Sequence, residues 1–232
     1  MMKRITFLLL ALLVAIQGGE VFARQLRING HRFVDLQLPS GLLWAETNIG
    51  AVSAADAGGY FAWGESRIKG NYSWSAYSHG VGEDSLTKYK SSDGREVLDS
   101  SDDAARTIWG KGCRMPTLAE FAELRDSCNC IWQWTARHTS EGTSIYGYQV
   151  TSRRNGKSIF LPAAGCREGG SMDYYGSRGY YWSASLNVIY DFYAHFLCLE
   201  RDAFFTSYDY RYYGLTIRPV ADKYCKEKNT RK

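Results

Sequence analysis

The sequence predicts an α+β fold with a few helices, several short strands and unusually long loops. Three observations carry that reading. Thr117 and Glu120 form a helix-start signature directly after Pro116. Asn155-Gly156 stands between the apolar alternations Tyr148/Val150 and Ile159/Leu161. From Gly179 to Val220 the chain runs in short aromatic stretches cut by polar turns.

Taken in chain order, residues 1–23 read as a secretory leader. Lys3 and Arg4 give the positive start, Phe7 to Ile16 is an unbroken apolar run, and Val21-Phe22-Ala23 puts small residues at the cleavage positions. The run is too short to span a bilayer, and no later segment is apolar enough to do so. The expectation is an exported protein, secreted, periplasmic or at the cell surface. Residues 24–32 form a lead-in, residues 33–221 one domain, and residues 222–232 a basic, frayed tail. Across the start of the domain, His31 to Leu36 reads as an opening strand, stopped by Pro39-Ser40-Gly41. Residues 64–100 read as long loops held to the body by Tyr72, Trp74 and Tyr77. A short helix is expected from Asp102 to Ile108. After Pro116, the Thr117 and Glu120 side chains each satisfy an orphan N–H of the first turn. Leu118, Phe121, Leu124 and Cys128 then recur at helical spacing as one buried stripe. Asn155-Gly156 accepts the positive φ angles of a two-residue hairpin turn.

Composition narrows the function classes. The 232 residues carry 28 Lys+Arg against 24 Asp+Glu, a formal charge of +4. Without clustering, that balance does not point to nucleic acid. With 45% hydrophobic residues the chain is not disordered. Six cysteines (Cys113, Cys128, Cys130, Cys166, Cys198 and Cys225) allow 15 pairings, so disulfides or buried thiols are both expected and no pairing is chosen. The Cys128-x-Cys130 spacing and the scattered His31, His79, His138 and His195 do not fit a zinc site. No nucleophile elbow, metalloprotease helix or phosphate loop is present, so no catalytic residue and no cofactor is expected.

Several blocks resemble one family in order and wording. They are FVDLQLPSGLLWAETNIGA (33–51), GGYFAWGES (58–66), LTKY (86–89), DDAA (102–105), WGKGCRMPTLAEF (109–121), GYQVTSRRNGKSIFLPAAG (147–165), GYYWSAS (179–185) and RYYGLTIRPV (211–220). Together they resemble the Fibrobacter succinogenes major paralogous domain family, abundant in secreted proteins of Bacteroidetes. The resemblance implies a C-type lectin-like fold, two helices with small antiparallel sheets and a long loop region that carries binding sites. Two departures stand out. No cysteine flanks Gly82 to Tyr89, and Cys113 precedes Arg114 where relatives commonly carry Trp. The calcium-lectin motifs EPN, QPD and WND are absent, and the acidic cluster Asp99, Asp102 and Asp103 reads as helix capping. The YWSxS…RxxGxxxRPV ending is also similar to the variable region of target proteins of diversity-generating retroelements. There Asn codons are randomised at adenines. Most residues at the matching positions are reachable that way, but Glu200 is not.

The aromatic residues supply the functional reading. Residues 172–213 hold 10 of the 17 tyrosines. A strand with one buried face hides only alternate residues, yet Tyr190 to Leu199 is apolar at nearly every position. Tyr offers large, rigid area and a hydrogen-bonding tip, which suits a contact surface. The candidate ligand-binding residues are Tyr174, Tyr181, Tyr190, Phe192, Tyr193, His195, Phe196, Phe204, Phe205, Tyr208, Asp209, Tyr210 and Tyr212. Trp44, Trp63, Trp109, Trp182 and Pro219 are assigned to the scaffold. The expectation is a secreted or cell-surface protein that binds a protein or glycan ligand without covalent chemistry, its oligomeric state open. Two other classes are a surface-fibre or assembly component, which needs an exposed strand edge, and an enzyme on a fold like that of the formylglycine-generating enzymes. The close cysteine pair of that enzyme group is not matched here.

Overall fold

The computed structural model describes residues 25–223. The leader expected over 1–23, Cys225 and all but the first two residues of the basic tail lie outside the described residues. Among the described residues, thirteen strands and two short α-helices form the fold. The α+β, C-type lectin-like expectation is therefore corrected: this is a β-rich fold whose four sheets pair antiparallel throughout. The helix signals were local and cover few residues. Most of the remaining chain is rich in β-branched and aromatic residues that fit a pleated, half-buried surface.

Strands β1 (Leu26–Ile28) and β2 (His31–Asp35) lie within or beside the lead-in. They turn through Asn29-Gly30, both at positive φ, 49° and 83°. That is the turn geometry whose twist matches two antiparallel strands. β3 (Leu43–Ala45), β4 (Cys113–Arg114) and β13 (Val220–Ala221) complete a five-stranded sheet in the order β1-β2-β3-β13-β4. Val220 opposite Trp44 ties the two ends of the domain together.

Helix α1 (Ala104–Trp109) is capped by Asp103, which accepts the Arg106 N–H. Helix α2 (Leu118–Arg125) opens on the expected capping box: Thr117 Oγ1 accepts from Glu120 N at 3.3 Å and Glu120 Oε2 from Thr117 N at 2.8 Å. Phe121 and Leu124 are buried, but the helix stops at Arg125, leaving Cys128 exposed beyond it.

The chain then makes β5 (Cys130–His138), β6 (Ser144–Ser152) and β7 (Ser158–Pro162), in that order across one sheet. The Asn155-Gly156 turn falls between β6 and β7, but within a five-residue connection (153–157) in which Gly156, at φ 70°, and not Asn155 has positive φ, so the expected two-residue turn is corrected to a longer one. β8 (Cys166–Glu168) pairs with β9 (Ser171–Asp173). The last sheet holds β10 (Gly179–Leu186), β11 (Tyr193–Glu200) and β12 (Ala203–Tyr210), with β11 central.

Hydrophobic cores cover both sides of the β10–β11 pair. Trp182, Phe196 and Cys198 pack with Phe61, Trp63 and Tyr89 on one side. Tyr181, Leu197 and Leu199 pack with Trp44, Phe121, Leu124 and Leu161 on the other. Residues 64–100 are loops and three 3₁₀ turns, as read from the sequence. They are pinned by buried phenols: Tyr72 Oη donates to Tyr60 O (2.6 Å) and Tyr77 Oη to Trp63 O (2.8 Å). The scaffold residues Trp44, Trp63, Trp109, Trp182 and Pro219 are all buried. Among the described residues no helix is long and apolar enough to cross a membrane. Cys128, Cys130, Cys166 and Cys198 are thiols, which corrects the disulfide expectation for these four.

Candidate functional site

Register in the last sheet decides which candidate side chains meet. Residues directly opposite across an antiparallel pair share a face, and successive residues alternate. Tyr193 lies opposite Tyr210, His195 opposite Tyr208, and Leu199 opposite Phe204. These share one face. Phe196 opposite Ser207, Cys198 opposite Phe205, and Ala194 opposite Asp209 share the other.

One end of the first face carries a continuous band of rings. Phe192 and Tyr193 touch edge to face (4.5 Å between centroids), Tyr193 meets Tyr208 (5.3 Å) and Tyr210 (4.8 Å), and Tyr190 meets Phe192 (5.9 Å). Tyr210 and Tyr212 stack at 5.3 Å, and Trp74 closes on Tyr212 at 5.0 Å. His195 meets the edge of Tyr208. Tyr190 and Tyr208 are exposed, whereas Phe192, Tyr193, His195, Tyr210 and Tyr212 are half-buried. The band continues into the loop between β10 and β11. There Asn187 Oδ1 accepts the N–H groups of Ile189 and Tyr190, turning Val188 and Ile189 outward at 54% and 77% exposure.

Other candidates lie elsewhere. Tyr181, fully buried, and Phe196, 5% exposed, are core residues, which corrects their assignment to a contact surface. Both faces of the β10–β11 pair are covered there, so one-sided burial does not apply. Phe204 stacks on Trp132 at 4.3 Å, at the edge of the core over α2. Tyr174 and Phe205 are exposed away from the ring band. Tyr174 lies beneath the Arg178 guanidinium and beside Tyr180. Asp209 points to the opposite face and accepts the Tyr210 N–H. Burial holds its carboxyl above the usual range.

A buried cation supports the band from behind. Arg211 is fully buried. Its Nη1 donates to Asp191 O (2.7 Å) and Tyr89 O (3.1 Å), its Nη2 to Lys88 O (2.9 Å), and its Nε to Tyr77 Oη (2.9 Å). One guanidinium thus ties the loop bearing Phe192 and the turn after β12 to the loops of residues 64–100. Tyr210 Oη donates to Glu83 Oε1 (2.8 Å). Its hydrogen bonds with Tyr193 and Glu83 hold the phenol protonated well above its ordinary range. Burial lowers the pKa of His195, leaving a neutral imidazole beside the rings at pH 7.

The sequence reading missed Glu83, Asp191 and Arg211 and gave Trp74 only a pinning role. Trp74 carried a signal, as a tryptophan in a polar loop. The acids and the arginine carried none, because their partners lie 20 to 134 residues away.

The acidic cluster is absorbed by structure. Lys88 Nζ contacts Asp102 (2.6 Å) and Asp99 (2.8 Å), and Asp103 caps α1 while accepting Met115 N–H. Among the described residues no three metal-ligating side chains converge. No family model, curated protein or solved structure matches the chain.

Proposed function

We propose that the chain is a ligand-binding protein, exported to the cell surface or secreted, that recognises its target by covering the ring band from Tyr190 to Tyr212. One observation carries this reading: seven rings in mutual contact run into an aliphatic tip, Val188-Ile189, that faces solvent. Contiguous exposed apolar patches on a folded domain mark interaction sites far more often than single exposed residues do. The rings are held by strand register and by Arg211, so little conformational freedom is lost on binding. The resemblance to variable regions fits the same reading, since the exposed positions of the β10–β11 loop and of β12 can change without disturbing the core. The test is the double variant Tyr190→Ala/Tyr208→Ala, screened with the wild type on glycan and peptide arrays. Binding is expected to fall at least about tenfold with an unchanged melting temperature. Undiminished binding would refute the reading.

A second reading has one observation in its favour. β5 is nine residues long, lies at the edge of its sheet and carries half-buried Trp132 and Trp134. Such an edge can accept a strand from a neighbouring chain, as an assembly component would require. Sedimentation of Trp134→Lys against the wild type tests this: if the wild type is a monomer at all concentrations, the reading fails.

A further inference from the structure

An open groove of about 380 Å³ runs beside the ring band. Glu83, Asp84 and Asp191 line it, against one ammonium, that of Lys90. It adjoins the rings at two points. Tyr210 Oη donates to Glu83, and Asp191 lies between the band residues Tyr190 and Phe192 in the chain. One oxygen of each of these two acids has a partner: Glu83 Oε1 takes the Tyr210 hydroxyl, and Asp191 Oδ2 takes the Ser91 N–H (2.6 Å) and Oγ–H (2.9 Å). Asp84 is exposed.

We infer that the ring band and this groove together bind a polypeptide segment bearing lysine or arginine side chains. The inference rests on the proposed reading of the band as the binding surface and names the chemistry of what it binds. Three carboxylates against one ammonium give the groove the opposite sign to such side chains. The adjacent rings attract cations over their faces. The molecule already uses that contact internally, with Arg211 over Tyr77, Arg178 over Tyr174 and Arg167 over Tyr60, all at 4.8 to 5.4 Å. The aliphatic tip selects polypeptide over glycan. Sugars stack on aromatic faces, whereas exposed Val188 and Ile189 call for an apolar side chain as partner.

The experiment uses the full exported chain on an array of random 15-residue peptides sorted into basic, neutral and acidic classes, with a glycan array in parallel. The wild type is expected to enrich peptides that place Lys or Arg beside apolar residues, more weakly as salt rises from about 0.05 to about 0.5 M. Glu83→Gln/Asp84→Asn is expected to weaken those peptides about threefold to tenfold and to flatten the salt dependence, with an unchanged melting temperature. Should that pair fail to fold, Asp84→Asn alone, with the wild-type salt titration, takes its place. Enrichment of neutral or acidic peptides, binding to glycans only, or equal binding by the carboxamide variant would overturn the inference. The ring reading survives those outcomes if Tyr190→Ala/Tyr208→Ala still abolishes whatever binding is seen. If the ring variant binds as the wild type does, or the wild type binds neither array, both fall.

Discussion

The guanidinium of Arg211 lies over the ring of Trp63, 5.2 Å from its centroid, with no carboxylate among its hydrogen-bond partners. Its charge is held by three carbonyls, a phenol and three aromatic faces. The fork geometry is what allows one side chain to reach all four acceptors, and an ammonium cannot reproduce it. Arg211→Met leaves those acceptors unmet and is expected to cost about 3 kcal/mol or more. Arg211→Lys is expected not to rescue it. Urea denaturation checks both, and a Lys variant within about 0.5 kcal/mol of the wild type would refute the fork argument.

Tyr181 and Tyr208 are both tyrosines of the aromatic C-terminal segment with opposite fates. Tyr181 is fully buried and donates to Pro162 O at 2.6 Å. Tyr181→Ala is expected to cost about 3–5 kcal/mol through the cavity it leaves, and Tyr181→Phe about 1 kcal/mol for the lost hydrogen bond, since Pro162 O keeps the Ala164 N–H (2.8 Å). Tyr208→Ala, at an exposed ring, is expected to change stability by no more than about 0.5 kcal/mol. Thermal melts of the three variants give the comparison.

These two residues also show where the sequence was readable. The Thr117–Glu120 box is encoded within four residues and was legible, as were the place of the Asn155-Gly156 turn, though not its length, and the pinning roles of Tyr72 and Tyr77, whose rings stand isolated in polar sequence. The fold class was not, because two strong helix signals carry no information about how little chain they govern. The nine-residue strand Cys130–His138 mixes Gln133, Arg137 and His138 with its tryptophans, so its edge position looks polar and loop-like. Tyr181 and Phe196 were misplaced because strands covered on both faces, as β10 and β11 are, do not alternate. The Tyr190–Tyr212 band was legible as composition, but its contiguity depends on the register of β11 and β12. Arg211 and Arg218 look like solvated charges in the sequence. Arg218 is in fact fully buried, donating to Asn48 Oδ1 and to the carbonyls of Ala45, Glu46 and Phe160, and burial lowers its pKa to about 10.

Lys88 gives a pH-dependent stability. Burial alone would raise the Asp102 pKa, but hydrogen bonds from Lys88, Tyr89 and Ser101 outweigh it and hold the carboxyl below its usual range. The hydrogen bond from Lys88 does the same for Asp99. Lowered folded-state values mean a contribution that is complete above the unfolded carboxylate pKa of about 4 and lost as pH falls through the folded values. Lys88→Met is therefore expected to be less stable than the wild type at pH 7, by about 1–2 kcal/mol, and to approach it below about pH 3. Melting curves from pH 7 to pH 2.5 measure the gap; a gap independent of pH would contradict the ion-pair account.

The thiols should divide by environment. Cys128 is exposed beyond α2. Burial pushes Cys130 up to about 11 and Cys166 and Cys198 up to about 12. Thiolate is the reactive form, so iodoacetamide at pH 8 is expected to modify Cys128 in the folded protein and the other three only after unfolding. Peptide mass mapping reads the pattern. Modification of Cys198 at the rate of Cys128 would mean that the β11 face opens in solution.

Gly214 and Tyr72 set the last expectation. A Cβ at Gly214 would stand 2.7 to 2.9 Å from three ring atoms of Tyr72, whose ring is fully buried. The backbone also pairs there: Gly214 N–H donates to Arg167 O (2.9 Å) and Arg167 N–H returns to Gly214 O (2.8 Å), so the chain cannot shift away without breaking the pair. Tyr72 cannot yield easily either, since its hydroxyl is bonded to Tyr60 O. Gly214→Ala is expected to cost about 1–3 kcal/mol from overpacking. Tyr72→Leu, which removes the ring's far half, should recover part of that loss in the double variant, so that the two changes are non-additive. A double-mutant cycle by urea denaturation measures the coupling. Strict additivity would mean that the glycine is needed for some reason other than the tyrosine ring.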